Sequence, residues 1–232
     1  MVNFDLILVP QGQEYQAVLR GLTKVNYPLD GLIPIPIFAS DLTHIMLKLE
    51  FKKPQQIKNI LLLGLAGSLT EKNQIRDIVI YEECLEQESG KKRKTQPELS
   101  QKLQEKLDKK ATMVKALTSD RLIWSVKEKQ KLAQETQTQV VDMEGYQVLA
   151  TLDPNLYSVA ILRIISDDCS GDLPDLNPAI ASDGSLKPLS LTLCFLQHPL
   201  AALRLIRNSL SSLKMLQKVT EVIFTRNPHS NQ

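Results

Sequence analysis

The chain reads as an α/β protein whose mixed or mostly parallel sheet is covered on both faces by helices. Three observations predict this. Runs such as 57–63 and 160–165 are rich in Ile, Leu and Val with little polar alternation, the pattern of strands buried on both faces. Segments of helical periodicity lie between them, and no internal repeat interrupts the order. Two apolar runs also stop abruptly in carboxylates. Val140-Val141 runs into Asp142 and Glu144, and Ile164-Ile165 runs into Ser166, Asp167 and Asp168. In an open α/β sheet, ligands sit outside the carboxyl ends of the strands. Acids at two such ends are therefore expected to point into one crevice and to mark a small-molecule site.

The elements follow in order. Phe4–Val9 is a short buried strand closed by Pro10, and Glu14–Leu22 is a helix with Tyr15, Val18, Leu19 and Leu22 on one face. Ile57–Leu63 is a second strand entering a turn, Gly64-Leu65-Ala66-Gly67-Ser68, and Ile75–Tyr81 is a third. Residues 88–97, ESGKKRKTQP, form a polar basic loop; a solvated loop explains the charge without a ligand. Leu99–Lys110 is a short amphipathic helix, Met113–Leu117 a strand, and Asp120–Glu135 contains another helix. The two acid-ended strands follow, with a helix from Gly145 to Leu152 between them. Residues 171–190, rich in Pro, Asp, Ser and Gly, form a long loop of the kind that often serves as a lid. Pro199–Phe224 is a long helix.

At 232 residues the sequence suits a single domain over 1–232, with a C-terminal helical extension from about residue 190. Hydrophobic residues at 43% and charged residues at 23% are ordinary for a globular protein, and a net charge of +2 does not by itself imply nucleic acid. Cys84, Cys169 and Cys194 have no C-x-x-C spacing and read as reduced thiols of a cytoplasmic protein. His44, His198 and His229 form no ligand pair with them, so no metal is expected. The N-terminus, MVNFDLILVP, lacks the basic region and cleavage site of a signal peptide, and no apolar run approaches the ~20 residues of a spanning helix. The protein is expected to be soluble, or at most attached to a membrane surface.

Three motifs in order carry a resemblance. LLLGLAGSL, 61–69, followed by QIRDIVI, 74–80, resembles a strand, a G-x-A-G-G-L turn and a K-V-G-D-I-V strand. VVDMEG, 140–145, resembles V-E/D-M-E-G/A-A, and LRIISDD, 162–168, resembles V-R-x-I-S-D. SDRLIWSVKEKQKL, 119–132, is similar to the segment that walls a base pocket. Any one motif is weak, but the ordered set over residues 4–168 resembles the nucleoside phosphorylase/nucleosidase superfamily, which includes methylthioadenosine/S-adenosylhomocysteine nucleosidase.

The resemblance implies a three-layer αβα sandwich with a mixed central sheet and an enzyme that cleaves the N-glycosidic bond of a purine nucleoside, by hydrolysis or phosphorolysis. That chemistry passes through an oxocarbenium-like sugar, needs a proton on the leaving base and brings a nucleophile to the other face. Asp167 matches the acid that protonates the purine. A carboxyl group does this at neutral pH only where its surroundings favour the protonated form, and its place after an apolar strand makes burial expected. Asp168 is the adjacent alternative, but the Ser-Asp register with Ser166 favours Asp167. Glu144 matches the acceptor of the ribose hydroxyls, although an acid at a helix start needs no ligand to explain it. Met143 would lie against the sugar, where core packing is the plainer role. Asp142 matches an acidic position near the sugar. Glu14 matches the base that deprotonates the attacking water, with a first-turn helix acid as the alternative. Ala66 and Gly67 would bring backbone close to the substrate. Leu122 and Ile123 would line the purine, Ile123 through its backbone.

The sequence also departs from the pattern. Leu122 replaces the aromatic residue that stacks on the base, Arg76 replaces the glycine of K-V-G-D, and PIPIF, 34–38, lacks the glycines found in relatives. Phosphate would be a co-substrate only if the reaction is phosphorolytic, and Gly12, Arg20 and Ser68 are the candidates to bind it. Residues 172–213 are similar to the C-terminal extension of hopanoid-associated phosphorylase-like proteins, which are thought to remove adenine from adenosylhopane. No other cofactor is implied. A catalytically inactive nucleoside- or lipid-binding protein on the same fold is the competing class. Relatives often complete the pocket from a neighbouring subunit, which favours a homodimer. The 198–226 tail carries five Lys or Arg against Glu221, with Leu203, Ile206, Leu210 and Leu213 on one face. It is expected either to pack on the sheet or a partner, or to lie on a membrane surface.

Overall fold

The computed structural model describes residues 3–36, 58–179 and 194–225. His44, His229, Ile57 and the part of the 171–190 loop beyond 179 lie outside the described residues. The strands are β1 (Leu6–Pro10), β2 (Leu32–Ile35), β3 (Lys58–Ser68), β4 (Ile78–Glu86), β5 (Lys92–Lys94), β6 (Ala111–Thr118), β7 (Val140–Asp142) and β8 (Tyr157–Asp167). The helices are α1 (Gln13–Lys24), α2 (Pro97–Lys106), α3 (Val126–Thr136), α4 (Gly145–Thr151) and α5 (Pro199–Phe224), with a 3₁₀ turn at Asn177–Ala179.

The sheet is mixed, as expected. β1 pairs in parallel with β2 and β3, and β3 pairs in parallel with β8 over Lys58–Gly67. β8 then meets β4 antiparallel, β4 runs parallel to β6, β6 parallel to β7, and β7 returns antiparallel to the end of β3. Five strands thus close a ring, and β1 and β2 extend the sheet from β3. Alternation along the strands makes two apolar layers. Ile7, Val9, Leu61, Leu63, Leu162 and Ile164 face α1, α2 and α5. Leu8, Ile60, Leu62, Ile161 and Ile165 face the other way, with Tyr146, Val148 and Leu149 of α4. Burying each such side chain contributes roughly 1.5–3 kcal/mol.

Several expectations change. The predicted turn at 64–68 is the continuation of β3, because Gly64 and Gly67 stand opposite Arg163 and Asp167 of β8 and make room for their side chains. The basic loop at 88–97 contains β5, which pairs antiparallel with β4 as a hairpin. β2 was not expected at all; its four residues, Leu-Ile-Pro-Ile, are too short a pattern to read. Helix α5 has the predicted bounds, and Ser212, Leu213, Leu216, Val219 and Ile223 are buried along it. Where α1 crosses it, a Cβ on Gly21 would stand 2.8 Å from the Gln217 carbonyl, so glycine sets how closely the two helices approach.

Candidate active site

At the ends of β3, β7 and β8 a cleft of about 170 Å³ is lined by Glu14, Leu65, Ala66, Gly67, Arg121, Leu122, Ile123, Val141, Asp142, Met143, Glu144, Ser166 and Asp167. All ten residues that the sequence assigns to the catalytic and substrate-binding site line this cleft. The topology explains the convergence. β3, β7 and β8 are neighbours in the ring, so the carboxyl ends of β7 and β8 open beside Ala66 and Gly67. Asp168 turns away, and its Oδ1 accepts from the amide of Ser170 at 3.0 Å.

Four charged side chains meet beneath the cleft. Arg163 is fully buried in the middle of β8, and its Nη2 donates to Asp142 Oδ2 at 2.8 Å and to Glu144 Oε2 at 3.0 Å. Asp142 Oδ1 also accepts from Thr118 Oγ1 at 2.8 Å and caps Gly145 N at 3.3 Å. Its oxygens are thus committed to holding Arg163 and the start of α4. Glu14 reaches in from α1, and its Oε1 accepts from the Leu65 amide at 2.5 Å. A Cβ placed on Gly64 would sit 2.0 Å from Arg163 Nη1 and 2.8 Å from Glu14 Oε1, so these two groups share the space that Gly64 leaves. Among the described residues, Arg163 Nη1 and Nε are buried without a hydrogen-bond partner. On this side Arg163 faces Glu14 through charge rather than through a hydrogen bond.

One guanidinium faces three carboxyl groups. Burial pushes Glu14 up to about 7 and Glu144 up to about 8, against the opposing pull of Arg163. Burial opposes the charge of Arg163, but Asp142 and Glu144 hold it protonated more firmly than usual. A carboxyl group that titrates near neutral pH is suited to take a proton in a reaction run there.

Asp167 is buried, as expected, but its neighbour is a cation. Lys129 of α3, with its side chain fully buried, places Nζ against Asp167 Oδ2 and donates to the Asp168 carbonyl at 3.1 Å. The physical reason lies in α3: Lys129 and Leu132, three residues apart, share its buried face. Gly67 lies under the carboxyl group, since a Cβ there would be 2.9 Å from both Asp167 oxygens. Gly64 and Gly67 of β3 thus each clear room for one charged group, Gly64 for Glu14 and Arg163 and Gly67 for Asp167.

The wall opposite is apolar. Leu122 and Ile123 line it, and Asn177 holds Leu122 by accepting from its amide and donating to its carbonyl, both at 3.0 Å. Ser166 Oγ donates to the Ala66 carbonyl at 3.4 Å. The three phosphate candidates do not line the cleft. Arg20 is exposed on α1 with Nε 3.4 Å from Gln217 Oε1, Ser68 Oγ donates to the Thr70 carbonyl at 2.6 Å, and Gly12 precedes α1 at φ 98°.

Sequence reasoning assigned no role to Arg163, Lys129, Arg121 or Asn177. Two of these had a signal. Arg163 interrupts the apolar run of β8, and a charge there must be paired. Lys129 stands where α3 needs a buried residue. Asn177 had none, because its partner lies 55 positions away. Cys84, Cys169 and Cys194 are free thiols, and among the described residues no group of three metal-binding side chains is found. Among the described residues, no helix is long and apolar enough to cross a membrane.

A ring of mixed strands with acids at the ends of β7 and β8 defines a class, and the comparisons give it a family. Residues 37–183 match the model of the phosphorylase superfamily, and the chain belongs to that superfamily. No curated protein sequence matches the chain. Among solved structures, it is similar to futalosine hydrolase of Helicobacter pylori (18% identity, 96% of this chain and 97% of that one, TM-score 0.65). It is similar to 5'-methylthioadenosine/S-adenosylhomocysteine nucleosidase from Helicobacter pylori with butyl-thio-DADMe-Immucillin-A (18% identity, 94% and 95%, TM-score 0.63). A mutant of that nucleosidase with 5'-methylthioadenosine in its active site is also similar (18% identity, 95% and 99%, TM-score 0.60). At this level of identity the likeness is one of fold.

Proposed function

We propose that this protein cleaves the N-glycosidic bond of a purine nucleoside, an adenosyl compound, and releases the base. The observation that carries the proposal is that Glu14, Glu144 and Asp167 line one cleft, with the buried Arg163 holding Glu144 and the buried Lys129 holding Asp167 from behind. The three carboxyl groups divide the reaction between them. As the bond between the sugar carbon and the base nitrogen breaks, its electron pair passes to the purine. Asp167 relays to the purine a proton that the Lys129 ammonium, held against its carboxylate, gives up. Glu144 accepts hydrogen bonds from the ribose hydroxyls and offsets the positive charge that develops on the sugar. Glu14, ionised near neutral pH, takes a proton from the attacking water, and the buried Arg163 beneath it offsets the negative charge of the carboxyl groups. The water oxygen forms the new bond to the sugar carbon, and the products are free base and free sugar.

Hydrolysis is favoured over phosphorolysis. Among the described residues lining the cleft, the one cation is Arg121, and it is committed to Glu128. Phosphate needs arginine or free backbone donors. No cofactor is proposed, and phosphate would be a co-substrate only in the phosphorolytic case. Leu122 in place of an aromatic ring gives the base a smooth apolar wall. The similarity of 172–213 to the hopanoid-associated branch makes adenosylhopane, an adenosyl-lipid, the more specific substrate we propose. A cytoplasmic setting, supported by three free thiols, and a homodimer complete the proposal.

Adenine release from 5'-methylthioadenosine, adenosine and an adenosyl-lipid, each with and without phosphate, tests it. Release without phosphate supports the hydrolase. Release that requires phosphate moves the assignment to a phosphorylase. Binding of these compounds with no release from any of them would favour the inactive binding protein.

A further inference from the structure

Helix α5 turns apolar residues to solvent along half its length. Leu200, Leu203 and Leu210 are 84%, 65% and 55% exposed, Ile206 is 41% exposed, and Leu196, one turn before the helix, is 73% exposed. Leu200, Leu203, Arg207, Leu210 and Lys214 fall at i, i+3, i+7, i+10 and i+14 and so share one face, about 21 Å long. The buried residues Ala202, Ser212, Leu213 and Leu216 take the opposite face. The exposed leucines are therefore not needed for packing on the sheet.

Charge selects the occupant. No Asp or Glu occurs from Cys194 to Thr220, whereas Arg204, Arg207, Lys214 and Lys218 do. Glu221, the first acid, is paired with Lys24 of α1 at 2.8 Å, and α1 also exposes Arg20 beside it. A second copy packed on this face about a two-fold axis would bring two faces carrying Arg207 and Lys214 together with no acid on either to offset the charge. We infer that the exposed face of α5 is a docking surface for an anionic lipid bilayer. The leucines enter the acyl boundary, and Arg207 and Lys214 reach back along their own stems to the headgroup phosphates. A chain of contacts links α5 to the helix that supports the cleft. Arg204 donates to the Asp172 carbonyl, and Asp172 Oδ1 accepts from Val126 N at 2.7 Å, at the start of the helix that carries Lys129. The inference rests on exposure and charge and does not require the proposed reaction.

Co-sedimentation of the full chain with phosphatidylcholine vesicles, with and without phosphatidylglycerol, tests it. Binding is expected to the anionic vesicles at low salt and to weaken several-fold at high salt, roughly as the charge term is screened over the ~10 Å Debye length. The L203S/L210S variant should bind at least about tenfold more weakly, because two apolar side chains no longer leave water. R207E/K214E should lose binding, and R207K/K214R should keep it. These side chains face solvent, so unchanged circular dichroism and melting verify folding. The inference is overturned by no binding to anionic vesicles at low salt, or by binding that both variants retain. It is equally overturned by a concentration-dependent dimer in sedimentation equilibrium that L203S/L210S dissolves, since the face would then belong to a second copy.

Discussion

Lys129 and Asp167 form an ion pair in which the ammonium is wholly out of solvent and the carboxylate is 11% exposed at the edge of the cleft. The pair ties helix α3, from which the base wall leads, to the end of β8. It changes what substitution of Asp167 does. Asn is nearly isosteric but leaves the buried Lys129 without a counter-charge, and breaking such a pair typically costs about 3–5 kcal/mol. D167N is expected to lose base release by about 10²–10⁴-fold and to melt well below the wild type. The double variant D167N/K129M should recover most of the stability and none of the activity. Thermal melts beside adenine-release assays check this. Activity recovered together with stability would show that Asp167 serves the fold alone.

Glu14 gives the second prediction. With Glu14 raised to about 7 and Glu144 to about 8 by burial, both ionise near neutral pH. Hydrolysis needs Glu14 as the carboxylate, and ribose binding is strongest with Glu144 as the carboxylate. The rate without phosphate should therefore rise with pH through about 7 to 8. E14Q should slow turnover by about 10²–10⁴-fold and remove the lower part of that rise, with little change in KM. A pH–rate profile of E14Q that overlies the wild type would remove Glu14 from the mechanism.

The sequence was most legible where one pattern carried both fold and site. The β7 and β8 runs ending in Asp142, Glu144 and Asp167 marked strand ends, and those strand ends are the cleft. Helix α5 was legible to its last residue because its apolar period is long. The less legible parts depended on partners distant in sequence. That Gly64 and Gly67 belong to a strand rather than a turn follows from Arg163 and Asp167 about 100 residues later. A glycine signal alone cannot separate a turn from a place cleared for another side chain. Arg76 shows the converse. It adopts φ 76° where the family pattern has glycine, so the departure is a tolerated left-handed residue, held by its amide on the Ile165 carbonyl at 2.8 Å.

Gly64 supports a third prediction. In G64A the new methyl carbon would fall 2.0 Å from Arg163 Nη1 and 2.8 Å from Glu14 Oε1. Arg163 is gripped by Asp142 and Glu144 and has little room to move. Overpacking usually costs about 1–3 kcal/mol, and here it also displaces Glu14. G64A is expected to lose stability and activity together. G67A meets only the carboxylate end of Asp167, at 2.9 Å, and should lose activity with a smaller change in melting temperature. Equal destabilisation by the two variants would show that Arg163 is free to shift.

The buried carboxyl groups also set how stability depends on pH. Glu14 and Glu144 titrate at about 7 and about 8 in the folded protein against an ordinary value of 4.5, so between these limits the folded state holds more protons than the unfolded chain. Stability from these groups is fully present below about 4.5 and declines as pH rises, until Glu144 has ionised at about 8. Above that the decline stops, because both states then carry the charge. Urea unfolding across this range should show the wild type losing stability with pH. E14Q/E144Q, which cannot titrate at either position, should show a flatter curve between pH 5 and 8, a window that spans both shifts. The comparison uses slopes rather than absolute stabilities, since removing two carboxyl groups also changes what faces Arg163. A double variant whose curve keeps the wild-type slope would mean that Glu14 and Glu144 are ionised in the folded protein well below neutral pH. It would also remove the reason for treating Glu14 as a base poised near 7.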